Sequence, residues 1–314
     1  MPKRSAPDTL LLGEVPERLS ATLAEGGLAV RRAAGWREAG GTTGVDVLVT
    51  ASHIVVTAAD LGRMVALRVL ARAAAGTDNV DLEATQARGI RFVHAPEANA
   101  QSAAELTMTL LFAAARGLAF HSTQLREGSW SRGELTGLEL SGKRIGIVGL
   151  GRVGSRVARM ARAIPMCAGA YDPFIPDERF AEHGCEKIAS LDELAARSDV
   201  LTVHCPLTAN TRLMLRFEQL ALLPSGAIVL NVARGGIIDE VALAQLCASG
   251  HVRACGIDCW SEEPPPLENP LLALPAGKLV ATPHMGARTR EARDRVADET
   301  AYGIFAALRE LGLL

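Results

Sequence analysis

The chain has 314 residues, 48% of them hydrophobic and 22% charged, with a formal net charge of -2. That length and apolar content supply a large core and favour two domains over one. The near-balanced charge gives no general basic field for a phosphate backbone, so no nucleic acid is expected as a partner.

The opening segment, MPKRSAPDTLLLGEVPERL, carries a little positive charge and only a short apolar run, so export is not indicated and a reducing cytoplasm is expected. The runs LLLG, LAVRR, VDVLVT, LRVLARA and IRFVHA are five candidate strands. PERLSATLAEGG and LEATQARG are intervening helices, and GWREAGGTTG is a surface loop. SAAELTMTLLFAAARGLAFHSTQLREG reads as one long helix crossing between lobes. Its most apolar part, 106–120, contains Arg116 and falls short of the roughly 20 residues that span a bilayer, so it is read as a buried helix and no membrane partner is expected.

From Arg144 onward RIGIVG, MCAGAY, VLTVHC, AIVLNV, RACGID and KLVAT are six further strands, with helices expected at 152–163, 191–197, 217–222 and 240–249. The last periodic segment, TREARDRVADETAYGIFAALREL, has nothing after it to pair with and is expected to return to the first lobe. The class is α/β, with two doubly wound parallel-sheet domains and a cleft that takes a small molecule. Six cysteines (Cys167, Cys185, Cys205, Cys247, Cys255, Cys259) show no CxxC pair. No second ligand pair at metal spacing accompanies Cys255 and Cys259, so packed thiols and no metal are expected.

Glycine turns are common, and Gly149-x-Gly151-x-x-Gly154 alone is a weak signal. Here a strand leads in, a helix leads out, and Asp172 follows the next strand 18 positions beyond Gly154. In that context Gly149 makes the tight turn, Gly151 lets a pyrophosphate approach the helix N-terminus, and Gly154 lets helix and strand touch. A carboxylate at Asp172 accepts from the ribose hydroxyls and repels a 2′-phosphate, favouring NAD over NADP; the bland alternative is a turn cap before Pro173.

Three later strand ends deliver charge. NVARGGIID places Arg234 after an apolar strand, GIDCWSEEPP places Asp258 and Glu263, and VATPHMG places His284. A lone histidine is more often structural, and either Glu262 or Glu263 can be merely solvated. Together, though, the three supply what hydride chemistry on a 2-hydroxy acid needs: a base for the hydroxyl proton in His284, a carboxylate to raise its pKa and fix its tautomer in Glu263, and a planar cation for the substrate carboxylate in Arg234.

At these residues the sequence resembles the D-isomer-specific 2-hydroxyacid dehydrogenases, nearest their short-form D-3-phosphoglycerate dehydrogenases. The resemblance runs from about Val45 to the end through GTDNVDLEA, SAAELTMTLL, GLELSGKRIGIVGLGRVG, YDP, HCPLTANT, LNVARGGIIDE, GIDCWSEEPP and TPHMGA. It implies a Rossmann NAD-binding domain at 99–285 inserted into a flavodoxin-like substrate domain of 1–98 and 286–314. His284 is then the acid/base, Glu263 its partner, and Arg234 the substrate-carboxylate ligand.

The same resemblance implies cofactor contacts from Gly149, Gly151, Arg152, Val153, Gly154, Asp172, Cys205, Pro206, Val232, Ala233, Asp258 and Gly286, with Asp258 accepting from the nicotinamide amide. Substrate contacts fall to Arg72, Ala74, Ala75, Gly76, Asn99 and Arg132, the two arginines near a phosphate. It also implies a homodimer, and no appended domain for feedback is expected.

The sequence departs from the family pattern at Ala74, where glycine is common, and at Ala51-Ser52, where an Arg-Ser pair is frequent. The substrate expected on this reading is D-3-phosphoglycerate or 3-phosphohydroxypyruvate. A hydroxypyruvate or glyoxylate reductase, needing no phosphate site, is the alternative within the class. An NAD-sensing corepressor-like binding protein is the alternative outside it.

Overall fold

The computed structural model describes residues 6–130, 132–133 and 135–314. The chain forms two compact units, Met1–Asn99 with Arg288–Leu314, and Ala100–Ala287.

In the first unit, strands β1 (Asp8–Leu12), β2 (Ala29–Ala33), β3 (Val47–Thr50), β4 (Val69–Arg72) and β5 (Arg91–Val93) alternate with helices α1 (Glu17–Glu25), α2 (Ala58–Arg63) and α3 (Leu82–Ala87). The sheet is parallel, in the order β2-β1-β3-β4-β5. That is the flavodoxin-like order, which places the change of winding direction between β1 and β3. The central strands β1, β3 and β4 read as near-continuous apolar runs because both faces are covered: Leu10, Leu11, Leu12, Val47, Leu48, Val49, Val69 and Leu70 are all fully buried. Each such leucine contributes ~2 kcal/mol on leaving water. Helix α2 has no apolar periodicity long enough to be read from sequence; its start is fixed by a capping box in which Thr57 and Asp60 satisfy each other's backbone N–H.

The second unit begins with α4 (Ala100–Arg116) and α5 (Leu118–Arg126). Its strands are β6 (Arg144–Val148), β7 (Cys167–Tyr171), β8 (Glu186–Lys187), β9 (Val200–Val203), β10 (Ala227–Asn231), β11 (Val252–Ile257) and β12 (Leu279–Ala281), with helices α6 (Arg152–Ala163), α7 (Asp177–Glu182), α8 (Leu191–Ala196), α9 (Phe217–Ala221) and α10 (Glu240–Ala248) between them. All pairings are parallel, in the order β12-β11-β10-β9-β6-β7-β8. This is the doubly wound dinucleotide-binding arrangement, with β6 and β9 flanking the switch point where ligands bind. The sheet has seven strands where six were expected, because β8 is two exposed residues at the edge and leaves no apolar run to read.

The single long helix expected over 102–128 is instead two. Gly117 takes a left-handed conformation (φ 59°), and α4 and α5 diverge by 63° around it. No single helix among the described residues is long and apolar enough to cross a membrane. Helix α11 (Arg290–Glu310), N-capped by Thr289, belongs to the first unit, where Ala301, Ile304 and Leu308 join the core of β1, β3 and β4.

Candidate active site

The glycine turn lies between β6 and α6. Gly149 has φ 89°, and its N–H donates to Tyr171 O at 2.9 Å. A methyl group on Gly154 would stand 2.1 Å from Gly149 O, so only glycine lets α6 start this close to the strand. Gly151, at the N-cap, faces open space, and no side chain caps the helix. With no side-chain cap, the start of α6 suits an outside acceptor, the helix dipole favouring an anion. This is what a dinucleotide pyrophosphate requires.

Asp172 follows β7. Its Oδ2 accepts from Leu150 N at 2.9 Å and its Oδ1 from Phe174 N at 3.0 Å, so it closes a turn and also braces the glycine loop. Each oxygen keeps a second lone pair for a ribose hydroxyl. Cys205 adjoins the same loop, since a Cβ on Gly149 would meet its N at 2.9 Å; burial pushes its thiol up to about 11. Arg152 and Pro206 are exposed, Val153 and Ala233 half-buried, and Val232 and Gly286 buried, with Val232 Cγ1 3.3 Å from where a Cβ on Gly286 would lie.

The loops after β10 and β11 are tied together. Asn231, buried at the end of β10, accepts from Ala233 N at 3.1 Å and donates to Arg234 O at 2.9 Å. Gly235 permits the contact, because a Cβ there would fall 1.8 Å from Trp260 O. Glu240 accepts from the N–H and hydroxyl of Ser261 at 2.6 and 2.8 Å and from Asn269 Nδ2 at 2.7 Å, anchoring the segment that carries Glu263. Asn231 and Glu240 escaped sequence reading, as polar residues at element ends have no periodic signature.

Asp258 is the knot of the site. Fully buried, it accepts from Thr282 Oγ1 at 2.6 Å, Met285 N at 2.8 Å and Gly286 N at 2.9 Å, and its main-chain carbonyl accepts from His284 N at 2.9 Å. These bonds tie its carboxylate to the loop that carries His284. His284 has φ 47°, a conformation side chains rarely adopt, and the Asp258 contacts hold it there.

From that position His284 Nδ1 lies 2.7 Å from Glu263 Oε2 and 2.9 Å from Oε1. Hydrogen bonds to Cys259 and then Glu263 raise the imidazole to about 10, against the opposing effect of burial. For Glu263, burial acts upward but is outweighed by hydrogen bonds from His284 and Trp260 N–H and by the charge of Arg234, leaving the carboxyl below its usual value. The pair is thus an ionised carboxylate and an imidazolium at neutrality, with Glu263 on Nδ1 and Nε2 left for other partners. His204, by contrast, is driven down to about 3 by burial and bonds to Thr202, so it stays neutral. Arg234 is half-buried beside this pair; its Nη1 donates to Ala233 O at 2.7 Å.

Of the expected substrate residues, Arg132 is exposed in the second unit, while Arg72, Ala74, Ala75, Gly76 and Asn99 belong to the first. Arg72 is 2% exposed: Nη1 donates to Ile54 O at 2.6 Å and Thr50 Oγ1 at 3.3 Å, and Nη2 donates to Ser52 O. These bonds tie Arg72 to the loop after β3.

Residues 108–286 match the family described as D-isomer specific 2-hydroxyacid dehydrogenase, NAD binding domain. The D-3-phosphoglycerate dehydrogenase of Methanocaldococcus jannaschii is 43% identical over 264 residues, 84% of this chain and 50% of that protein. The chain thus spans about half the length of the curated D-3-phosphoglycerate dehydrogenases it matches. The hydroxypyruvate reductase of Thermotoga maritima is 41% identical over 269 residues, 86% of each chain. The crystal structure of the TT0316 protein from Thermus thermophilus matches with a TM-score of 0.87 and 33% identity, covering 96% of this chain and 97% of that one.

Proposed function

The chain belongs to the D-isomer-specific 2-hydroxyacid dehydrogenase family, and on that premise we propose that it interconverts a D-2-hydroxy acid and its 2-keto acid with NAD. The observation that carries this reading is the Glu263–His284 pair, at 2.7 Å, on loops fastened to the one that bears Arg234.

Bound NAD supplies the hydride acceptor, and NADH the donor. The uncapped start of α6 and the Gly149–Gly154 turn hold the pyrophosphate, and Asp172 takes the adenosine ribose. The Arg234 guanidinium orients the substrate carboxylate and draws charge from the keto oxygen. His284, protonated, delivers its Nε2 proton to that oxygen during reduction and removes the hydroxyl proton during oxidation. Glu263 fixes the imidazole tautomer and stabilises the imidazolium without itself being protonated.

For the substrate, the buried Arg72 is engaged by the Ile54 and Ser52 carbonyls, and Ala51 stands where the family often has an arginine, so little positive charge is left to meet a phosphate. This favours a compact 2-keto acid of the hydroxypyruvate and glyoxylate kind. The phosphorylated substrate is the second reading, supported by exposed Arg132 and by the likeness to D-3-phosphoglycerate dehydrogenases. Assay with NADH against hydroxypyruvate, glyoxylate, pyruvate and 3-phosphohydroxypyruvate separates them by kcat/KM. Turnover of none of these would favour a corepressor-like binding role.

A further inference from the structure

Three unlike donors meet beside the candidate acid/base. Cys259 Sγ, a carboxylate oxygen of Glu263 and an imidazole nitrogen of His284 all lie within 4.8 Å of one another. Cys259 is buried, whereas Glu263 and His284 are exposed, so the group opens to solvent on one side and presents a thiol from beneath. The spacing of cysteines along the sequence gave no sign of it, because the ligands come from two loops 21 residues apart (Glu263 to His284) that Asp258 draws together.

We propose that this cluster is a binding site for a borderline-soft divalent cation of the Zn2+ or Cd2+ class, and that occupation blocks the acid/base. Thiolate, imidazole and carboxylate are the ligand types zinc takes, at about 2.3, 2.0 and 2.1 Å. Tetrahedral placement at those lengths separates ligand atoms by roughly 3.3 to 3.7 Å, so the 2.7 Å Glu263–His284 contact opens by under about 1 Å. Water completes the fourth position.

Binding releases two protons, one from the Cys259 thiol and one from the imidazolium, and moves no electrons. The thiolate and carboxylate then balance the dication. Arg234, whose charge reaches both Cys259 and Glu263, opposes the ion, and the enclosed carboxylate of Asp258 offsets it. Hard cations gain little from sulfur, which sets Mg2+ and Ca2+ apart. The inhibitory consequence rests on the proposed function, but binding does not.

The test uses the full chain in a Cys167→Ser background, which removes the exposed cysteine. Cd2+ is titrated while its thiolate charge-transfer absorption is followed in the ultraviolet, and Zn2+ by calorimetry. One ion per chain is expected, with the absorption lost in both Cys259→Val and Cys259→Ser. Affinity should fall at least about tenfold in Glu263→Gln, since loss of a partner one shell further out already costs that much.

In turnover, Zn2+ should inhibit each protein relative to its own metal-free rate, chelator should reverse it, and the Cys259 variants should need at least about tenfold more Zn2+. Absence of the absorption in the Cys167→Ser parent, or equal affinity after loss of the thiol, overturns the site. Binding in a protein that turns over no 2-keto acid leaves the site standing and removes the functional reading. Turnover unaffected by Zn2+, with no absorption, does the reverse.

Discussion

Asp258 holds His284 by its backbone: the main-chain carbonyl of Asp258 accepts the His284 N–H at 2.9 Å. The carboxylate takes the next two N–H groups, of Met285 and Gly286. An imidazole in a left-handed backbone conformation is fixed because one buried aspartate satisfies three consecutive amides. Asp258→Ala strands two N–H groups and the Thr282 hydroxyl, and is expected to lower unfolding free energy by about 3 kcal/mol. A urea midpoint equal to that of the parent protein would mean the loop does not depend on this knot.

The raised pKa of His284 sets the pH profile. Held up to about 10 by Cys259 and Glu263, the ring stays protonated through neutrality, so reduction of a 2-keto acid persists into alkaline solution and falls as pH passes about 10. Oxidation of the hydroxy acid, which needs the neutral ring, rises over the same range. Glu263→Gln removes one of the raising partners and moves both limbs to lower pH. A profile of kcat breaking near 6.5 in the parent protein, the ordinary histidine value, would contradict this.

Much of this was legible in the sequence because central strands such as β1, β3, β4 and β10 are near-continuous apolar runs, whereas the edge strands β2, β5 and β12 showed only as shorter β-rich runs, two of them interrupted by arginine. Helix α6 has its expected bounds, since Gly151 and the apolar stripe of Val157, Ala158 and Ala161 mark it. Short elements such as α2, α7 and β8 were missed, having too few residues for a period to show. The break at Gly117 was also missed, because the apolar pattern runs through it and only the backbone conformation separates the helices.

The site was half legible. Strand ends pointed to Arg234, Glu263 and His284, but the burial of Arg72 and the enclosure of Asp258 are set by tertiary contacts. A charged residue at a strand end reads the same whether it faces a ligand or its own loop. Cys259 read as a packed thiol, and only folding brings it to the imidazole.

Burial of Arg72 makes a separate expectation. Arg72→Met leaves the Ile54 carbonyl without its side-chain donor and the Ser52 carbonyl with Asn79 Nδ2 alone, and should cost about 2 kcal/mol of stability measured by denaturant unfolding. The ratio of kcat/KM for 3-phosphohydroxypyruvate to that for hydroxypyruvate should not change. A selective loss on the phosphorylated acid would return Arg72 to the substrate.

Cofactor choice is tested at Asp172. Asp172→Ala removes an acceptor for ribose hydroxyls and a repulsive charge, so the preference for NADH over NADPH should drop at least about tenfold, one charge-assisted hydrogen bond being worth about 1.5–3 kcal/mol. The variant also loses the brace on Leu150 N, which weakens both cofactors alike and cancels in the ratio. An unchanged ratio would leave the carboxylate with its turn-closing role alone.

The most direct test is single-turnover reduction of the best 2-keto acid by His284→Ala, with NADH affinity measured by fluorescence on the same samples. The account expects the hydride-transfer rate to fall by about 100-fold or more while NADH affinity and the unfolding midpoint stay near those of the parent protein. A folded His284→Ala protein that binds NADH and reduces the keto acid at an undiminished rate would contradict it.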